Sequence, residues 1–193
     1  MPARELQEDS VGPGRPYRSL AKPDLLAAFR AALARSDGTD GAECVHELWM
    51  RGEIGLNIER ALQDLWQRAA NSIPDWLPMR HVDWLPAVYT VAARCQATAR
   101  GRSNIYLVLL DYADRDEGPY GIYVGMTRYT AAERFDQHKA GIRAAGSVLK
   151  RGLEVLTGPV AHLQRISHAE AARIEAELAE ALRAEGLRVR GGH

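Results

Sequence analysis

At Gly101 the hydrophobic pattern of the chain changes period, and that change limits the folds open to it. Before it, apolar residues recur at helical spacing. After it, two runs rich in β-branched and apolar residues, Asn104 to Leu110 (NIYLVLL) and Tyr120 to Met126 (YGIYVGM), read as strands. The polar stretch between them, DYADRDEGP, reads as a long exposed loop. Thr130 with Glu133 then makes a capping box that opens a helix. Val160 to Ile166 suggests another strand, and Ser167 with Glu170 a second capping box, leading a helix to Gly186. The expectation is an α+β fold, ββαβα, with a small mixed β-sheet flanked by helices.

The N-terminal region is all-helical in pattern. Leu25, Leu26, Phe29, Ala32 and Leu33 form one stripe after Pro23-Asp24, and Val45, Leu48 and Trp49 mark a second, short helix. Ile58, Ala61, Leu62, Leu65, Trp66 and Ala69 fit a third, with Asn57 as its N-cap. Val88, Val91, Ala92, Cys95 and Ala99 make a further stripe, where Cys95 reads as a small buried hydrophobe. The doubled DWLP of PDWLPMRHVDWLP is too short a recurrence for a repeat architecture. Trp49, Trp66, Trp76 and Trp84 fit a bundle core, with base-stacking platforms as the other reading. The expected organisation is a flexible tail at 1–18, a helical region at 19–100 and a separate domain at 101–193.

Two cysteines, Cys44 and Cys95, are too few for a disulfide framework and have no zinc-ligand spacing. No signal peptide or membrane span is legible, so a cytoplasmic protein without membrane partners is expected.

The 25 Lys and Arg balance 25 Asp and Glu over 193 residues, which argues against a basic coat protein for nucleic acid. The balance is not uniform. From Met126 to Arg151 six cations (Arg128, Arg134, Lys139, Arg143, Lys150, Arg151) face two anions (Glu133, Asp136), a local charge of +4. That suits binding of DNA phosphates, and a solvated face is the other reading.

Five of the seven tyrosines fall between residues 106 and 129. On the second strand Gly121, Tyr123 and Gly125 share a face, so Tyr123 stands between two stretches of bare backbone. Either a ligand approaches there or the tyrosine packs beneath a helix. Arg134 and His138, four apart, share a helix face and can act on one group. On the last helix a wheel at about 100° per residue places Glu175 on the shoulder of the buried stripe. Glu177 and Glu180 turn to water on the same wheel. Glu185 falls near the stripe but in the last turn.

Taken together, N-I-Y at 104–106, Y-V-G at 123–125, Arg134, His138 and Glu175 resemble the GIY-YIG nuclease domain. YVGMTRYTAAERFDQHKAG is the most specific part, and SHAEAARIEAEL resembles the helix bearing the family's metal-binding glutamate. The likeness covers roughly residues 103–190. Asn104 stands where the signature has its first glycine, sixteen residues separate the two triplets, and LRVRGGH offers no counterpart to the family's asparagine.

The resemblance implies a DNA endonuclease that hydrolyses phosphodiesters with one divalent cation, Mg²⁺ or Mn²⁺. Glu175 would hold the metal, Tyr106 would act as general base, and Tyr123 would position the water or the phosphate. Arg134 would neutralise developing charge, with His138 as a partner to the tyrosines. Restriction, phage defence or interbacterial conflict are settings it implies, the last with a protein inhibitor as partner. The alternative is a binding module that has kept the fold and lost catalysis.

Overall fold

The computed structural model describes residues 15–53, 56–74, 83–112, 114–115 and 118–192. These fall into two compact units: the described residues within Met1–Glu47 and Ala61–Pro78, and those within Leu48–Arg60 and Met79–His193. The unit that carries the sheet therefore reaches beyond the expected 101–193.

In the first unit, α1 (Lys22–Ala34) buries Leu25, Phe29, Ala32 and Leu33, as its stripe requires. Helix α2 (Gly38–Met50) is longer than Val45, Leu48 and Trp49 alone suggest, and Gly41 lets it approach Leu65 of α3 (Leu56–Ala69). Helix α3 begins one residue before Asn57, so that residue is not its N-cap. Trp66 is 43% exposed and forms no part of a core, and Trp76 lies outside the described residues. Most of the expected tail lies outside them too. Arg15, expected within it, is buried and pairs with buried Glu47 through two hydrogen bonds of 2.9 and 3.2 Å.

The second unit is built on a four-stranded sheet in the order β3-β1-β2-β4. Strands β1 (Arg100–Asp111) and β2 (Tyr120–Thr127) form the expected antiparallel pair, with Tyr106 opposite Gly125 and Val108 opposite Tyr123. The other two strands differ from expectation. β3 is Gly152–Val155, antiparallel to β1, and β4 is Val189–Gly191, parallel to β2. The expected strand at Val160 to Ile166 is instead a 3₁₀ turn (Gly158–Val160) with irregular backbone, joined to β1 by isolated bridges at Ile166 and scattered hydrogen bonds such as Ile105 N–H to the Leu163 carbonyl. Its buried residues, Val160, Leu163 and Ile166, are three apart, which is the period of a tight turn and not the alternation of a strand.

Helices cover both faces. Ile105, Leu107, Leu109, Ile122 and Val124 point toward α4 (Leu85–Arg94) and α7 (His168–Ala184). Tyr106, Val108, Leu110 and Tyr112 point the other way, toward α5 (Ala131–Lys139) and α6 (Gly146–Arg151). Helix α4 ends at Arg94, where Cys95 turns extended (ψ 123°), so Ala99 is not on its stripe. Cys95 itself is buried in the core, a free thiol. The outer edge of β3 is occupied by the end of α2. Trp49 Nε1 donates to the Val155 carbonyl at 3.0 Å, and the Val155 N–H donates to Met50 Sδ at 3.2 Å.

Both capping residues act as expected. Thr130 and Glu133 close a full capping box on α5. Ser167 caps α7, but Glu170 spends its carboxylate on the backbone N–H groups of Thr98 and Ala99, tying the helix start to the approach of β1. Among the described residues no helix is long and apolar enough to cross a membrane.

Candidate active site

The two glycines beside Tyr123 are the key to the site. Each carries a tyrosine laid across it, Tyr106 from β1 and Tyr112 from just past its end. A Cβ at Gly125 would meet the Tyr106 ring and hydroxyl at 2.7 Å and Tyr123 at 2.7 Å, while one at Gly121 would meet the Tyr112 ring at 2.8 Å. The bare backbone of β2 is thus filled by two tyrosines of this chain. Three phenols stand in a row over β2, with Tyr123 in the middle.

Tyr106, Tyr123 and His138 form a triangle of rings, with centroids 5.8, 6.0 and 5.9 Å apart. His138 is fully buried on α5. Its Nδ1 accepts a hydrogen bond from the Ala145 backbone N–H at 2.9 Å, and its Nε2 lies 2.8 Å from the Tyr106 hydroxyl. Burial, helped by the Arg134 charge, lowers this imidazole from its ordinary 6.5 to about 4, so it is neutral near pH 7. A neutral imidazole that accepts at Nδ1 carries its proton on Nε2. His138 therefore donates to Tyr106, which leaves the Tyr106 proton for its neighbour Tyr123, whose ring centroid lies 5.8 Å away.

The direction of that chain separates the two tyrosines. Burial pushes the Tyr106 phenol far up, and the neighbouring Tyr123 raises it further, against the Arg134 charge. Burial raises Tyr123 as well, but the hydrogen bond from Tyr106 and the Arg134 charge pull it down, while the Glu175 carboxylate pushes it up.

Arg134 is held by the loop after α5. Its guanidinium donates to Gln137 Oε1 at 3.0 Å and to the carbonyls of Ile142 and Arg143 at 3.2 and 2.8 Å. Arg143 takes a left-handed backbone (φ 44°) at that turn.

A cleft of about 1240 Å³ opens over this face. Tyr123, Arg134 and His138 line it, and so do Arg143, Lys150 and Arg151 from the expected basic run. Tyr106 does not; it is 2% exposed. Arg128 is exposed elsewhere, and Lys139 spends its ammonium on the carbonyls of Leu149 and Gly152. Neither lines the cleft. Four cations that sequence reasoning missed do line it: Arg115, Arg183, Arg188 and Arg190. Among the described residues they make eight together with the four expected ones, and no carboxylate belongs to that lining. The signal for two of them was present in LRVR, where Arg188 and Arg190 are two apart and so share a strand face.

Glu175 is 8% exposed on α7, outside the cleft lining, whereas Glu177, Glu180 and Glu185 are exposed. Among the described residues no group of three or more His, Cys, Asp or Glu is placed to hold a metal ion. A Mg²⁺ or Mn²⁺ ion held by Glu175 would have one protein carboxylate, with waters and phosphate oxygens left to complete its shell. Glu175 is the residue that would supply that carboxylate, within electrostatic reach of Tyr123.

Comparison of the chain with protein-family models, curated proteins and solved structures found no match.

Proposed function

We propose that this chain is a metal-dependent DNA endonuclease of GIY-YIG type that hydrolyses phosphodiester bonds. One observation carries the reading: the Ala145 N–H donates to His138 and His138 to Tyr106, beside Tyr123, at a cleft whose lining among the described residues holds eight cations and no carboxylate.

A free phenol has a pKa near 10, so about one in a thousand is ionised at neutral pH, and the site must favour the phenolate. Hydrogen bonds given to an anion favour it. Burial holds the Tyr123 phenol above its ordinary value, with Tyr106 and the Arg134 charge working against that rise, so the charge of a bound cation would be needed for Tyr123 to take the proton of the attacking water with Tyr106 behind it. This exchanges the roles that the family resemblance implies for the two tyrosines. Arg134, fixed by two backbone carbonyls, presents its charge to the phosphate without reorganising as the pentacoordinate state forms. A bound divalent cation would neutralise phosphate charge and make its bound water more acidic. Glu175 would be its protein ligand.

The test is nicking of supercoiled plasmid with Mg²⁺ and with chelator. Glu175→Ala should abolish nicking and leave DNA binding nearly intact; cleavage that persists puts the metal elsewhere. Tyr123→Phe should be inactive, with Tyr106→Phe retaining a residual rate, and the reverse order restores Tyr106 as the base. A parent chain that binds but never cuts is a binding module.

A further inference from the structure

Tyr112, at the far end of the row from Tyr106, does different work. It is 6% exposed, so its ring is part of the core, yet three guanidiniums converge on it. Arg151 and Arg188 lie over the ring, at 4.5 and 4.3 Å from its centroid, and Arg190 Nε donates to its hydroxyl at 3.2 Å. Arg151 is also tied to Asp114 by two hydrogen bonds of 2.6 and 2.9 Å. Arg190 is exposed, and among the described residues its side chain has no carboxylate partner, only Tyr112.

With Arg151 paired to Asp114, the charges of Arg188 and Arg190 stand close together at one ring, and a bound polyanion offsets their repulsion. The position is informative. Gly121, beneath the Tyr112 ring, is two residues along β2 from Tyr123, a separation of about 7 Å. That equals roughly two nucleotide steps along a duplex axis. Arg190 is also the register partner of Tyr123 across the β2–β4 pair, so both stand at the same level of the sheet.

We propose that Arg188 and Arg190, ordered by Tyr112, form a second phosphate site that holds a backbone phosphate one or two nucleotides from the one at Tyr123. The proposal rests on the phosphodiester reading above. The site binds and positions; it performs no chemistry. Its contribution is electrostatic and independent of base sequence.

The experiment measures binding of a fluorescein-labelled 20-base-pair DNA duplex by anisotropy over a series of NaCl concentrations, with chelator present so that nothing is cut. Arg190→Gln should weaken binding roughly tenfold and reduce the slope of log K against log salt by about 0.9, the value for one lost phosphate contact. Tyr112→Phe keeps the packed ring but loses the anchor for Arg190, so it should move the slope in the same direction at unchanged melting temperature. Lys139→Gln, outside the cleft, should leave the slope as it is. Equal slopes in the parent, Arg190→Gln and Tyr112→Phe overturn the site, and so does a parent chain that does not bind the duplex. Plasmid cleavage in Mg²⁺ is scored separately. Slopes that shift in a chain that never cuts keep the phosphate site and remove the hydrolase reading; cutting with unshifted slopes does the opposite.

Discussion

The Ala145 N–H sits 2.9 Å from His138 Nδ1, and this one backbone contact decides which imidazole nitrogen carries the proton. Ala145 has φ −70°, already the angle proline requires, so Ala145→Pro removes the donor without asking the backbone to move. The neutral imidazole then loses the bond that favours it. The His138 pKa should rise from about 4, measured by NMR titration of the ring. Cleavage should fall roughly ten- to a hundredfold, as for loss of other groups that orient a histidine. An unmoved titration would show that the bond does not set the tautomer.

The two glycines of β2 provide a matched pair of substitutions. Gly125→Ala puts a methyl group into Tyr106 and Tyr123, and a displacement on the order of 1 Å there can cost about a hundredfold in rate. Gly121→Ala meets the Tyr112 ring at 2.8 Å and the Arg188 carbonyl at 3.0 Å instead, so it should weaken duplex binding more than it lowers the rate at saturation. Rate and affinity measured on both variants check this. Identical profiles would mean the row of tyrosines has no such division of labour.

The capping box at Thr130 starts the helix that bears both Arg134 and His138. Thr130→Ala should cost about 1 kcal/mol of stability. For a chain of this size that is a melting temperature lower by about 2–4 °C, readable by calorimetry or circular dichroism.

Buried histidines give the fold a defined response to acid. His138 is lowered to about 4 and His46 to about 3, each from an ordinary 6.5. Below pH 6.5 the unfolded chain binds protons that these two sites refuse. Stability is thus fully present above that value and is lost as pH falls toward 4 and then 3. Urea titrations between pH 8 and pH 4 should show the decline, and His138→Gln should make it shallower while His46 keeps the remainder. The same slope in both proteins would exclude His138 as a contributor.

What could be read from the sequence was local. The capping box at Thr130, the Ser167 cap without its expected Glu170 return bond, and the place of Glu175 on its helix depend on residues three or four apart. The strands that were missed, Gly152–Val155 and Val189–Gly191, are short edges whose pairing partners lie far along the chain. Nothing in their own composition marks them. The glycines around Tyr123 were a visible signal whose occupant was hidden, because which side chain covers bare backbone is a matter of register. Only the pairing of Tyr106 with Gly125 brings that ring across. Arg188 and Arg190 have the spacing to share a face, but the cleft they line exists only once β4 has docked beside β2.

The seating of Trp49 and Met50 against Val155 bears on how this protein can be dissected. Strand β3 is an outer strand, and those two residues from the end of α2 use hydrogen-bonding groups along its outer side. A fragment trimmed to the 101–193 boundary would keep every proposed catalytic side chain and still present that side unpaired, a template for another chain to add a strand. Self-association of such a fragment would then reflect where it was cut, and say nothing about the oligomeric habit of the whole protein.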